Sequence, residues 1–161
     1  MNFEDFLMEV DPQYHGFILE THGYLSENGC TLKVTDAKSG CMVSYQFGKK
    51  KRVILNFVFR KKGLQARIYC GHVGQYLETI ESLPDDMKKT IEKAPGCKRF
   101  EDPPKCSPKC IGYVFALGGT HHQKCRYYSF FFEVNNKNIP YIRTMIEKEL
   151  SCRIAEQKGV L

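Results

Sequence analysis

Apolar and polar positions change their period several times along the chain, and each change marks an element. Residues 3–10 fit one or two helical turns. Asp11-Pro12 reads as a helix start, Asp as cap and Pro in the first turn. Tyr14, Phe17, Ile18, Tyr24 and Leu25 then share one helical face until Asn28-Gly29 stops it. From Cys30 the period drops to two. Cys30, Leu32 and Val34 alternate with polar residues, Lys38-Ser39-Gly40 turns, and Cys41, Val43, Tyr45 and Phe47 alternate again as the second arm of a hairpin. Val53 to Phe59 is apolar on both faces, which predicts a central strand. Leu64, Ala66, Ile68 and Cys70 form its partner after the Lys61-Lys62-Gly63 turn. These four strands make an antiparallel meander.

Helical spacing returns at 73–82 and 84–94, broken at Pro84, where Asp85-Asp86 favours a helix start electrostatically. A cysteine- and proline-rich loop covers 95–110. The pattern predicts strands at 113–117 and 126–132, joined by a linker through Gly118-Gly119-Thr120-His121-His122. Asn138 caps a last helix whose apolar stripe is Ile142, Met145, Ile146, Leu150 and Ile154. The fold class is therefore α+β: a single domain with an antiparallel sheet of about six strands and helices on one face. The order hairpin-then-helix occurs at 41–94 and again at 111–155, as in two related halves, although no residue-level repeat accompanies it.

Composition narrows the function. The 161 residues suffice for one domain with a full core, so disulfides are not needed to hold it. No apolar run reaches the ~20 residues of a membrane span, and the acidic start Met1-Asn2-Phe3-Glu4-Asp5 is unlike a signal peptide. These features predict a cytoplasmic protein without a membrane partner, with reduced thiols. The net charge of +6 is modest. Its densest clusters, Lys49-Lys50-Lys51-Arg52 and Arg60-Lys61-Lys62, flank one strand, about 25 Å apart at ~3.3 Å per residue. They read as solvated turns rather than as the contiguous footprint that nucleic acid requires, with weak nucleic-acid binding as an alternative.

The chemistry concentrates in cysteine. Cys97, Cys106, Cys110 and Cys125 fall within 29 residues at spacing C-x8-C-x3-C-x14-C, with His121 and His122 just before the last. Thiolate and imidazole are the usual ligands of tetrahedral zinc, and Lys98, Arg99, Lys105, Lys109, Lys124 and Arg126 would favour thiolates there. The expectation is a structural Zn2+ site on the four cysteines, with His121 or His122 as alternate ligands. Reduced thiols packed in a loop, or a thiol-redox or zinc-dependent enzyme on the same cysteines, are the competing readings. Cys30, Cys41, Cys70 and Cys152 lie on apolar phases and read as core. No nucleophile elbow, zinc-protease, phosphate-loop or dinucleotide signature is present, and nothing requires an enzyme. The aromatic strands offer a candidate small-molecule cleft lined by Tyr113, Phe115, Tyr127 and Phe131, set against the simpler reading that they fill a core. Oligomeric state is not legible in the pattern.

Several strings look familiar. Asn56-Phe57-Val58-Phe59-Arg60-Lys61-Lys62-Gly63, Arg67-Ile68-Tyr69, Lys93 to Arg99, Lys105 to Cys110, Gly112-Tyr113 and Gln123 to Tyr127 together resemble a family of small uncharacterised bacterial proteins, over about residues 14 to 150. That resemblance implies a bacterial origin and carries no activity. Lys124-Cys125-Arg126-Tyr127 is also similar, over about a dozen residues, to a stretch of the gyrase-inhibitor-like effector-binding domains. These are duplicated α+β folds that hold small molecules in a cleft, so the likeness implies ligand binding without assigning residues.

Overall fold

A computed structural model describes residues 1–102, 105–110 and 112–161. Pro103 and Pro104 of the predicted cysteine loop, and Ile111 after it, lie outside the described residues. The meander forms as the alternation predicts. Strands β1 (Cys30–Ala37), β2 (Gly40–Phe47), β3 (Arg52–Arg60) and β4 (Gly63–Ile68) pair antiparallel in sequence order. Gly40 closes the first hairpin at φ +114°, a region L side chains avoid. A Cβ there would also come within 3.3 Å of the Phe59 ring.

Period-two alternation gives this sheet two unlike faces. One carries Val43, Tyr45, Leu55, Phe57, Ala66 and Ile68, all buried. Helices α1 (Phe3–Glu9), α2 (His15–Glu27) and α6 (Ile139–Gln157) cover that face. Phe6 of α1 sits 6.1 Å from the Phe57 ring and 5.7 Å from Phe59, and Phe17 of α2 meets Phe57 edge-on at 6.0 Å. The α6 stripe of Ile142, Met145, Ile146 and Leu150 completes the core. Such ring burial, worth roughly 1.5–3 kcal/mol per side chain, explains why the helices gather here. The opposite face is polar at its centre. Register sets Ser44 beside Asn56, Asn56 beside Arg67, and Arg67 beside Phe131.

After β4 come α3 (Leu77–Glu81) and α4 (Asp85–Lys93), then the short α5 (Lys98–Glu101). The second half departs from the predicted pattern. Strand β5 (Tyr113–Leu117) is as expected, but its partner is β6 (Thr120–Lys124), inside the predicted linker. Residues 126–130 are a turn, not strand. The amides of Tyr128 and Ser129 both donate to the Cys125 carbonyl, as does Ser129 Oγ at 2.6 Å. Only β7 (Phe131–Glu133) of the predicted strand remains, and it pairs with β4. The antiparallel sheet therefore has five strands in the order β1-β2-β3-β4-β7, with β5-β6 as a separate two-stranded ribbon. The two halves thus differ in topology. Among the described residues, no helix is long and apolar enough to cross a membrane.

Candidate functional site

The four cysteines of the predicted zinc site lie at the join between the ribbon and the helices. Residues 95–97 run antiparallel beside the end of β6. The Cys97 amide donates to the Gln123 carbonyl (2.9 Å), the Cys125 amide donates to the Pro95 carbonyl (3.0 Å), and Gly96 bridges to Lys124. Lys124 reinforces the join by donating from Nζ to the carbonyls of Glu92 and Ala94 at 2.6 and 2.8 Å. Those carbonyls end α4, where a cation is favoured. Arg99 Nη1 donates to the Cys110 carbonyl at 2.6 Å, holding the 105–110 turn against α5.

The thiols follow this path. Cys97 is buried, and Gly112 lies so close that a Cβ on it would stand 2.7 Å from the Cys97 Cβ. Burial raises the Cys110 thiol above its ordinary range, and its hydrogen bond with Cys106, the charge of Cys106 and that of Cys125 push the same way, against Arg126. Cys106, Cys110 and Cys125 therefore share one neighbourhood. Among the described residues, no three Cys, His, Asp or Glu side chains already stand as a metal cage. The alternate ligands His121 and His122 alternate across β6, three and four residues before Cys125, about 10 Å or more along the strand. His121 is exposed. His122 packs 5.6 Å from the Phe115 ring, and burial lowers its pKa.

The predicted cleft residues separate into two groups. Tyr113 and Phe115 are buried against Phe130, with ring centroids 5.4 and 5.6 Å away. Tyr127 and Phe131 instead enclose Arg67 on the polar face of the sheet. The Arg67 guanidinium carbon lies 3.6 Å from the Tyr127 ring centre and 4.6 Å from that of Phe131. Its Nε donates to the Tyr127 carbonyl at 2.8 Å. Two hollows elsewhere, about 200 Å³ between α2 and α6 and about 340 Å³ near the β3–β4 turn, include none of the four predicted cleft residues.

Arg67 is what the sequence reading passed over. It is 1% exposed, yet Nη1 and Nη2 have no hydrogen-bond partner among the described residues, and neither has the buried Oδ1 of its neighbour Asn56. The Asn56 amide nitrogen donates to the Tyr69 hydroxyl at 3.4 Å. Burial raises the pKa of that hydroxyl, while the charges of Arg67 and Arg126 and the polar contact of Arg67 with it partly oppose the rise. Two more cations border the site: Arg126 lies 5.1 Å from the Tyr69 ring and Arg60 5.8 Å from the Phe131 ring. The one sequence signal available was the position of Arg67 on a strand otherwise fully apolar on its other face.

His72, at the end of the meander, belongs to a structural network. Its backbone N–H donates to Glu149 at 3.1 Å, its Nδ1 lies 3.0 Å from the same carboxylate, and its Nε2 lies 3.1 Å from Glu156. Tyr76, whose hydroxyl pKa burial drives far up, donates to Glu149 at 2.7 Å.

No protein-family model matches the chain, no curated protein matches it, and no solved structure matches it.

Proposed function

We propose that this chain is a non-enzymatic binding module in which zinc, held by Cys97, Cys106, Cys110 and Cys125, pins the 95–110 segment to the ribbon. The observation that carries the reading is the backbone pairing of residues 95–97 with the end of β6. It runs the two segments antiparallel, with Cys97 opposite Gln123 and Cys125 opposite Pro95, two positions apart across the pairing, and Arg99 holds the Cys110 carbonyl nearby. In this reading Cys106, Cys110 and Cys125, which share one neighbourhood, complete the set with Cys97. Four thiolates leave no open position for water, so the ion would be structural rather than catalytic. Arg126, beside Cys110, would offset part of the negative charge of such a centre. A thiol-redox role is less well supported at Cys110, where the raised thiol pKa reduces the reactive thiolate at neutral pH.

Elemental analysis of protein purified without a metal-affinity tag, paired with a count of reactive thiols, tests this. One zinc per chain and four protected thiols are expected. Chelation, or Cys110→Ser, should remove the metal and lower Tm by at least about 5 °C, the shift that roughly 2 kcal/mol makes in a domain of this size. Metal-free protein whose melting is indifferent to chelator and to Cys110→Ser would overturn the reading.

A further inference from the structure

We infer that the polar face of the sheet holds a binding site for a small oxyanion, a carboxylate or phosphate group, received by Arg67 between Tyr127 and Phe131. This rests on the binding-module reading and names the ligand class it would serve.

Three observations converge on it. The first is an unsatisfied charge. A guanidinium carries five N–H donors, and buried polar groups in folded proteins are nearly always partnered. Here Nε has a close acceptor, while Nη1 and Nη2, with the Tyr69 hydroxyl nearby, are sealed from solvent without a well-formed hydrogen bond among the described residues. The second is direction. Tyr127 and Phe131 pack against the guanidinium and the Tyr127 carbonyl takes the Nε edge. What remains is the in-plane Nη1–Nη2 edge, the edge that pairs with two oxygens of a carboxylate or phosphate. The third is charge balance. Arg60 and Arg67 both lie over the Phe131 ring, Arg126 lies over the Tyr69 ring, and none of the three forms an ion pair with a carboxylate among the described residues.

Asn56 refines the ligand. It is the direct cross-strand neighbour of Arg67, and its buried Oδ1 is an acceptor without a donor. A fitting ligand places a hydroxyl or amine beside its oxyanion, as a 2-hydroxy acid does. Tyr127 is the cover. It is 42% exposed, on a turn rather than in the sheet, so its ring can swing outward while Arg67 stays fixed by the strand.

The test is a titration of the full chain with glycolate, acetate and inorganic phosphate in chloride-free buffer, followed by NMR of the arginine side-chain N–H signals. Saturable shifts of the Arg67 Nε and Nη signals are expected, with glycolate binding more tightly than acetate. Arg67→Met should weaken binding at least tenfold while keeping its zinc content, so failure of this site and failure of the zinc reading are separable. Arg67→Lys, which keeps charge but loses the two-pronged geometry, should also bind more weakly. Absence of saturable shifts with all three anions, or equal affinity in wild type and Arg67→Met, would overturn the proposal and leave Arg67 as a hydrated structural residue. The wild-type Arg67 signals decide the matter even if Arg67→Met does not fold.

Discussion

Two arginines are buried among the described residues, and their surroundings differ completely. Arg153, on α6, is satisfied at every nitrogen. Its Nε donates to Glu149 (2.9 Å), Nη1 to the Arg52 carbonyl (3.1 Å) and Nη2 to the Tyr69 carbonyl (2.8 Å). Arg67, more deeply buried, is satisfied at one. The first arginine shows what a structural role demands of a charge taken out of water: a countercharge and a partner for each face of the fork. The second lacks both, and stacking between rings does not replace hydrogen bonds, since a cation–ring contact is worth about 0.5–2 kcal/mol. The fold is therefore finished around Arg153 and unfinished around Arg67.

The strongest way to break this contrast is to remove the countercharge of the finished arginine. Glu149→Ala strands Arg153 and Tyr76 in the core and should cost about 3–5 kcal/mol, read as a lowered midpoint in urea unfolding. A loss under about 1 kcal/mol would show that Arg153 is no better satisfied than Arg67. Next in size is Arg67→Met, which removes an uncompensated buried charge at similar volume. In anion-free buffer it should leave stability unchanged or raise it by up to about 2 kcal/mol. A large loss would place Arg67 with Arg153 as a structural residue. The smallest effect belongs to an ion pair in open solvent. Lys137 and Asp86 meet at 2.7 Å, and each shifts the other, Asp86 down from 3.8 and Lys137 up from 10.5. A depressed acid stabilises the fold above its unfolded pKa and loses that contribution as pH falls through the lower folded value. A raised base stabilises below 10.5 and loses the contribution as pH rises through the higher folded value. The pair is therefore present across neutral pH. Asp86→Asn should shift Tm only slightly at pH 7, and by less as pH falls through the lowered folded pKa of Asp86.

These outcomes bear on how much could be read from the chain alone. The meander was legible because Cys41, Val43, Tyr45 and Phe47, and likewise Leu64, Ala66 and Ile68, alternate against one helix-covered face. Strand β6 was not legible. Thr120-His121-His122-Gln123-Lys124 has no apolar residue, and it is held by backbone bonds to β5, which supplies the ribbon's buried side chains. The run from Arg126 to Phe132 misled for the opposite reason: its aromatics have different destinations. Tyr127 and Tyr128 are exposed on a turn, Phe130 is in the core, and Phe131 leans on Arg67. The cysteine spacing drew attention to the join where residues 95–97 pair with the end of β6, Cys97 opposite Gln123 and Cys125 opposite Pro95. Arg67 carried only a weak local signal, its place on a strand whose other face is apolar, since an arginine on the polar phase of a strand ordinarily faces water. Its burial depends on Tyr127, which is 60 residues away.

That separation also orders the assembly of the chain. Neighbouring strands of the meander close short loops, whereas β7 must return to pair Glu133 with Gln65 across the whole helical and cysteine-rich segment. Loop-closure entropy and slow non-local pairing both place that step late. Arg67 is then solvated on a nascent edge strand until the last strand docks. The pocket around it arises at the final stage of folding, and an anion that fits it would act on the unfolding rate more than on the early collapse.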